Sequence, residues 1–161
     1  MEQYIGTKIV QAAPAIRYAM KDGTNMVIEK DDHLALAQVN MDDVIGWEDA
    51  YVVVYQDGYS SWSPKAVFEE AYRRTDGMSF GLAIEAAKKG KKIARAGWNG
   101  KNQYVELAHC ISYKNNAAEI VNVNHCNIGN KALAFVGTSG VKMGWLASQA
   151  DMLADDWCIV E

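Results

Sequence analysis

The stretch Gly144-Trp145-Leu146-Ala147-Ser148-Gln149-Ala150-Asp151-Met152-Leu153-Ala154-Asp155-Asp156-Trp157 constrains the fold more than any other part of the chain. It crowds two tryptophans, a helix-start signal and three carboxylates into a few turns. Ser148 followed three residues later by Asp151 reads as a capping box, with Asp in place of the usual Glu. The Ser148 hydroxyl is placed to accept from an early helix N–H, and Asp151 to answer the exposed amides and the positive end of the dipole. Capping accounts for both residues without any ligand. It does not account for Trp145 and Gln149 beside the same helix start. Exposed amides suit a phosphate and an indole plate suits a base, so the pattern is also a seat for a nucleotide.

The 161 residues permit one medium domain or two small ones. Charge argues for two. Residues 1–77 hold 7 Lys and Arg against 13 Asp and Glu, a net of −6, whereas residues 78–161 hold 9 against 7, a net of +2. Neither half is basic enough for a long nucleic-acid groove, and a small anion fits the second half better than the first. No window approaches the ~18 uninterrupted apolar residues of a membrane span. Met1-Glu2-Gln3-Tyr4 shows no basic region ahead of an apolar core, so no signal peptide is expected. Cys110, Cys126 and Cys158 form an odd set without framework spacing, as free thiols in a reducing cytoplasm do.

Along the chain, Tyr4–Val10 reads as a first strand ended by Pro14, and Asn25–Ile28 as a short second one. His33–Val39 reads equally as a helical turn or a strand. Tyr51–Tyr55 predicts a strand, Asp57-Gly58 a hairpin turn, and Tyr59–Trp62 its antiparallel return. Ser63-Pro64 predicts a helix start, with Ser at the N-cap and Pro at the first helical position. Val67, Phe68, Ala71 and Tyr72 form its apolar stripe, and Arg73-Arg74 closes it. Thr75-Asp76-Gly77 is a short polar joint, and a new unit starts at Met78. Ser79 predicts a capped helix carrying Phe80, Ala83, Ile84 and Ala87 on one face and ending at Gly90. Strands follow at Lys91–Ala96 and Gln103–Ala108 around a Gly97–Gly100 turn. Residues 112–130 are Asn-rich, with Ile120, Val121 and Val123 as an edge strand. A hairpin joins Ala132–Val136 to Val141–Trp145 through Gly137-Thr138-Ser139-Gly140. Trp157–Val160 closes the chain as a strand. The expected class is α+β: two small domains, 1–76 and 78–161, each a short, mostly antiparallel sheet with one or two helices.

The second half resembles a known family through specific signatures. Met78-Ser79-Phe80-Gly81, Gly90-Lys91-Lys92-Ile93-Ala94-Arg95-Ala96-Gly97-Trp98-Asn99-Gly100-Lys101, Trp145-Leu146-Ala147-Ser148-Gln149-Ala150-Asp151 and Leu153-Ala154-Asp155-Asp156-Trp157 are similar to the phage Thoeris anti-defence protein two family. The similarity covers residues 78–161. The Asn-rich segment Ser112–Asn130 and Val141-Lys142-Met143-Gly144, where the family often has Pro just before the Trp, depart from the pattern. The resemblance implies a non-enzymatic sponge in the cytoplasm of an infected bacterial host. It implies sequestration of glyco-cyclic ADP-ribose from TIR-domain enzymes and, in some members, cyclic dinucleotides from cGAS-like enzymes. It implies a homotetramer with pockets between subunits, and no cofactor, metal, nucleic acid or membrane as partner. The first half, through Tyr4–Lys8 and Asp57–Tyr72, resembles an uncharacterised phage domain that brings no activity with it.

Each candidate residue has a plain reading beside the functional one. Tryptophans are packing residues by default, and Trp157 is expected in the core. The resemblance moves Trp98 and Trp145 to the ligand. Asn99 is either the left-handed residue of a turn or a reader of a ribose or base edge. Ser148 and Asp151 are caps first and ligand-binding residues second, with Gln149 beside them. Asp151 accepts only, so a ribose hydroxyl or base amine suits it better than a phosphate. Arg95 and Lys101 are solvated charges by default, or cations for a diphosphate. His109-Cys110 and His125-Cys126 argue weakly for zinc, because adjacent strand residues point to opposite faces and no paired-cysteine spacing is present. No Walker loop, zinc-protease helix or nucleophile elbow is found, so no catalytic residue is expected. Asp151, Asp155 and Asp156 imitate the acid–base pair of a hydrolase for the same signals, yet a capped helix explains them more simply. A structural or protein-binding phage component is the other rival reading.

Overall fold

Alternation and turn chemistry build a four-stranded and a five-stranded antiparallel sheet with short helices attached, and a separate two-stranded one. The computed structural model describes residues 3, 7–98, 102–109, 111–121 and 131–161. Among them every strand pairing is antiparallel, and the α+β class read from the sequence holds. The chain divides into two compact units, Met1–Arg73 and Arg74–Glu161.

The first unit runs β1 (Gln11–Met20), β2 (Asn25–Glu29), α1 (His33–Ala37), a 3-10 turn (Met41–Asp43), β3 (Val44–Val54), β4 (Ser60–Pro64) and α2 (Lys65–Ala71). The sheet order is β2-β1-β3-β4. The β3–β4 hairpin forms as its turn signal requires: Gly58 takes φ +84° and the Asp57 carboxylate accepts from Tyr59 N at 3.1 Å. His33–Val39, open in sequence, resolves as the single turn α1 because the Asp32 side chain accepts from Ala35 N.

Two expectations for this half are corrected. No strand occupies 7–10; Tyr4, Ile5 and Gly6 lie outside the described residues, and Pro14 sits inside β1 instead of ending a strand. The Pro14 carbonyl accepts from Lys30 N at 2.8 Å, on the side where β2 has already stopped. Its missing N–H falls on that same side, so the β1–β3 ladder loses nothing. Ser63 and Pro64 do not open a helix in the expected way. Both belong to β4, paired with Tyr51 and Ala50, so Pro64 is the N-cap residue and no side chain caps α2. Strand pairing holds Ser63 extended and takes it out of reach of the helix amides. At the other end Arg73 donates to the carbonyls of Glu69 and Tyr72, which gives the expected cationic closure a concrete form. The stripe on α2 stacks onto the sheet through Tyr51 and Phe68, 4.2 Å between centroids, and Phe68 and Tyr72, 4.8 Å.

The second unit runs α3 (Phe80–Lys88), β5 (Lys92–Arg95), β6 (Tyr104–His109), β7 (Tyr113–Lys114), β8 (Ile120–Val121), β9 (Lys131–Gly137), β10 (Gly140–Met143), α4 (Gln149–Met152) and β11 (Trp157–Val160). Its five-stranded sheet has the order β10-β9-β6-β5-β11. Ile120 and Val121 pair with Tyr113 and Lys114 in a separate two-stranded sheet, and Val123 lies outside the described residues. The chain turns out of β10 at Gly144, whose φ is +74°, so the predicted strand through Trp145 stops at Met143. Trp145 N still donates to Leu133 O at 2.9 Å, which ties its backbone to β9. Ser79 is the N-cap residue of α3, but its hydroxyl makes no cap bond. Gly90 ends that helix at φ +81°, as its position predicts. The joint Thr75–Met78 runs along β11: Ile159 N donates to Thr75 O, and Met78 and Trp157 exchange backbone bonds in both directions.

One face of the sheet makes the core. Ile93, Arg95, Val105, Trp157 and Ile159 share it by cross-strand register, and Ala83, Ala86 and Ala87 of α3 cover it. Alanines on the covering helix let it approach closely. Ile93, Val105 and Trp157 are fully buried there. Ile93→Ala is therefore expected to cost about 2–5 kcal/mol, whereas Leu153→Ala, at a side chain 81% exposed, should stay within about 0.5 kcal/mol. Urea denaturation followed by tryptophan fluorescence checks both.

Candidate functional site

Trp157 is the fixed point around which the candidate residues gather. Its indole is edge-on to Trp98 at 5.5 Å and to Trp145 at 6.2 Å, and tilted against Phe80 at 5.4 Å. Trp98 and Trp145 meet each other at 6.1 Å with planes 73° apart. These are edge-to-face contacts of the kind the aromatic quadrupole favours. Trp157 is sealed, as the sequence indicated, but Trp98 and Trp145 are half-buried against the core, and Trp98 also meets Phe135 edge-on at 5.4 Å. The backbone holds Trp98 through a turn in which its N–H donates to Arg95 O at 3.2 Å.

The helix start reads as the sequence implied. Asp151 N donates to Ser148 Oγ at 3.2 Å, and Ser148 N donates back to Asp151 Oδ2 at 3.0 Å, closing the capping box. Ser148 Oγ also donates to Asp151 Oδ2 at 2.7 Å. α4 has four residues, a single turn, so its share of macrodipole is small and its caps are already engaged. The indole Nε1 of Trp157 donates to Asp151 O at 2.9 Å, joining this turn to the aromatic cluster.

Arg95 is not the solvated charge that its residue type suggested. It projects from β5, directly across from Trp157, and reaches three acceptors. Nε donates to Asp156 Oδ1 at 2.6 Å, and Nη1 donates to Asp151 Oδ1 and to Ala150 O, both at 3.1 Å. It ties α4, through Ala150 and Asp151, to Asp156 just before β11. These bonds are charge-assisted and partly shielded, so they bind more firmly than surface pairs. Sequence reasoning missed the clamp because 56 and 61 residues separate its partners.

The same bonds set the ionisation of the two carboxyls. Burial works to raise the Asp151 pKa, but hydrogen bonds from Ser148 and the nearby Arg95 outweigh it and hold it below the usual range. Asp156 is lowered chiefly by the Arg95 hydrogen bond. Both are therefore ionised near neutrality and serve as acceptors, not as a proton-sharing pair. Asp155 is exposed. Gln149 is exposed on the first turn of α4. Asn99 and Lys101 lie outside the described residues, as do Cys110, His125 and Cys126. His109 is exposed at the end of β6, and the half-buried Cys158 is a free thiol that donates to Ala94 O at 3.3 Å. Among the described residues no group of three or more His, Cys, Asp and Glu is placed to hold a metal, and no helix is long and apolar enough to cross a membrane.

A five-stranded antiparallel sheet, one helix over its core face and a half-open tryptophan pair beside a capped turn define the second unit as a small aromatic-lined α+β domain. Residues 78–160 match the model of the Thoeris anti-defense 2-like domain, and the chain belongs to that family. It is 39% identical over 88 residues to Thoeris anti-defense 2 of Bacillus phage SP01, a span covering 52% of this chain and 94% of the phage protein. Membership makes the second half of the chain an anti-defence domain.

The clamp predicts a pH dependence. A carboxyl whose folded pKa lies below its unfolded value near 3.9 adds stability above that value, and the contribution is lost as pH falls through the folded pKa. Stability should hold steady from pH 7 to about 5 and decline below about 4. Asp151→Asn should lower stability at pH 7 and make the acid decline shallower, measured by urea midpoints between pH 2.5 and 7.

Proposed function

We propose that the second unit binds and sequesters cyclic nucleotide immune signals without degrading them. Glyco-cyclic ADP-ribose made by TIR enzymes is the first such ligand and cyclic dinucleotides are a further class. The observation that carries this reading is the half-buried Trp98–Trp145 pair beside the exposed Ser148–Gln149 turn, in a chain of this family. Trp98 and Trp145 supply faces for base and ribose, and Gln149 reads a polar edge. Arg95, Ser148 and Asp151 hold the turn in place through bonds they already make. Stacking contributes ~1–3 kcal/mol per base, a sizeable part of the ~12 kcal/mol that nanomolar capture requires. A sponge needs tight binding and slow release, and two ionised, Arg-bound carboxylates do not supply the proton transfers that hydrolysis needs.

The proposal includes a homotetramer with pockets between subunits, acting in the host cytoplasm. Its support is the sheet face opposite the core, where Ala132, Val136, Val141 and Met143 line up by alternation over the buried Ala94 and Ala134, with Lys92, Tyr104 and Glu106 beside them. Leu146, 88% exposed, and Leu153 flank α4 in the same way. Small and apolar side chains at these positions suit a homomeric contact.

Incubation with glyco-cyclic ADP-ribose, denaturation and chromatography should return the ligand intact; a cleaved product assigns a hydrolase instead. Calorimetry with a panel of cyclic nucleotides should register binding, and silence throughout favours a structural or protein-binding role with the tryptophans as packing. Trp98→Ala should weaken binding about ten- to a hundredfold with the oligomer unchanged by size-exclusion chromatography.

A further inference from the structure

The first unit carries a surface that the anti-defence domain does not use. On β1, Tyr18 pairs with Met26 of β2 on one side and Trp47 of β3 on the other, so the three side chains form a row across three strands on one face. Tyr18, in the middle of the row, is buried, while Met26 is 39% and Trp47 66% exposed. The same face carries Tyr51, on which α2 stacks through Phe68, so the helix covers one end and leaves the Trp47 end open. A β-bulge between the Ala19–Gly46 and Met20–Val44 pairs inserts Ile45, also exposed, next to that open end. Bulges of this kind re-aim side chains and recur beside functional surfaces.

Charge identifies the occupant. Residues 20–49 hold eight carboxylates and two lysines, which accounts for the whole −6 of the first half; the remainder of that half is balanced. Two of the eight carboxylates are already paired, Asp49 with Lys30 and Glu48 with Arg17, each at 2.6 Å, and six remain to set the field. Asp42 and Asp43 precede β3, and Lys21 N donates to Asp43 O, which places these carboxylates at the Trp47 end of the sheet. An apolar row with an exposed tryptophan inside a concentrated negative field repels nucleic acid, anionic lipid and a second copy of itself. It suits a polypeptide that offers lysines or arginines around apolar side chains, with Trp47 as the anchor. We propose that the open end of this sheet, presenting Met26, Ile45 and Trp47, docks a protein partner through a basic, apolar segment.

The test uses the full chain and a fluorescently labelled synthetic peptide alternating Lys with Leu and Val, followed by anisotropy. A peptide with Glu in place of every Lys is the control. Wild type should bind the lysine peptide and not the glutamate one. Trp47→Ser should weaken binding at least tenfold. The double variant Asp42→Asn, Asp43→Asn should weaken it severalfold and flatten its salt dependence. Ile120→Ser, in the second unit, should leave it unchanged. Binding unaffected by Trp47→Ser, or weakened equally by Ile120→Ser, overturns the proposal. A change of oligomeric mass in Trp47→Ser also overturns it, because the face is then a self-contact. Met26→Ser replaces Trp47→Ser if the latter does not reproduce the wild-type circular dichroism spectrum. The surface belongs to the first unit, so nucleotide capture by the second succeeds or fails independently.

Discussion

The second unit depends on the placement of one indole. Trp157 fills the space between α3 and the sheet, its backbone exchanges hydrogen bonds with Met78, and its Nε1 donates to Asp151 O. The start of the unit, the turn that carries the candidate ligand residues and the core are thus tied through one side chain. A buried aromatic contributes a large apolar area, and its single polar atom must find a partner. Here that partner is the backbone of α4, so the burial that stabilises the core also orients the site.

Arg95 supplies the second tie. A four-residue helix is too short to persist alone, since nucleation costs more than one turn returns. The capping box satisfies its first amides, and the guanidinium of Arg95 holds it from the sheet side through Ala150, Asp151 and Asp156. A turn capped at its start and tied to the sheet through Arg95 presents Gln149 and the neighbouring indoles in one arrangement. That rigidity lowers the ordering cost of ligand capture, which is how a site without catalysis gains affinity.

The two units make contrasting use of aromatic residues. In the second, tryptophans gather around a core and leave part of two rings open. In the first, Tyr51, Phe68 and Tyr72 stack to hold α2 on the sheet, while Trp47 stands outside any such stack among carboxylates. A large ring left in water inside a charged field carries a cost that packing does not offset, which is why that surface is read as a contact.

Local chemistry was legible in the residues themselves. The capping box at Ser148 and Asp151, the hairpins at Asp57-Gly58 and at 137–140 and the helix stop at Gly90 follow from short-range rules that few neighbours can overrule, and the burial of Trp157 follows from its size and apolarity. The family signatures were legible for the same reason, being compact strings of residues. What failed were readings in which a local preference met a strand partner. Pro14 was expected to end a strand, yet it lies within one because its missing donor faces a gap in the sheet. Ser63 was expected to cap a helix, yet pairing with Tyr51 keeps it extended. Arg95 was read as a solvated charge or as a cation for a diphosphate, and its carboxylate partners arrive from the far end of the chain. Sequence alone determined the turns and the capped start of α4, since capping and turn formation involve atoms a few bonds apart. Only the tertiary structure decided which side chains share a face and which charges meet, since cross-strand register and the packing around Trp157 bring together residues that no local spacing relates.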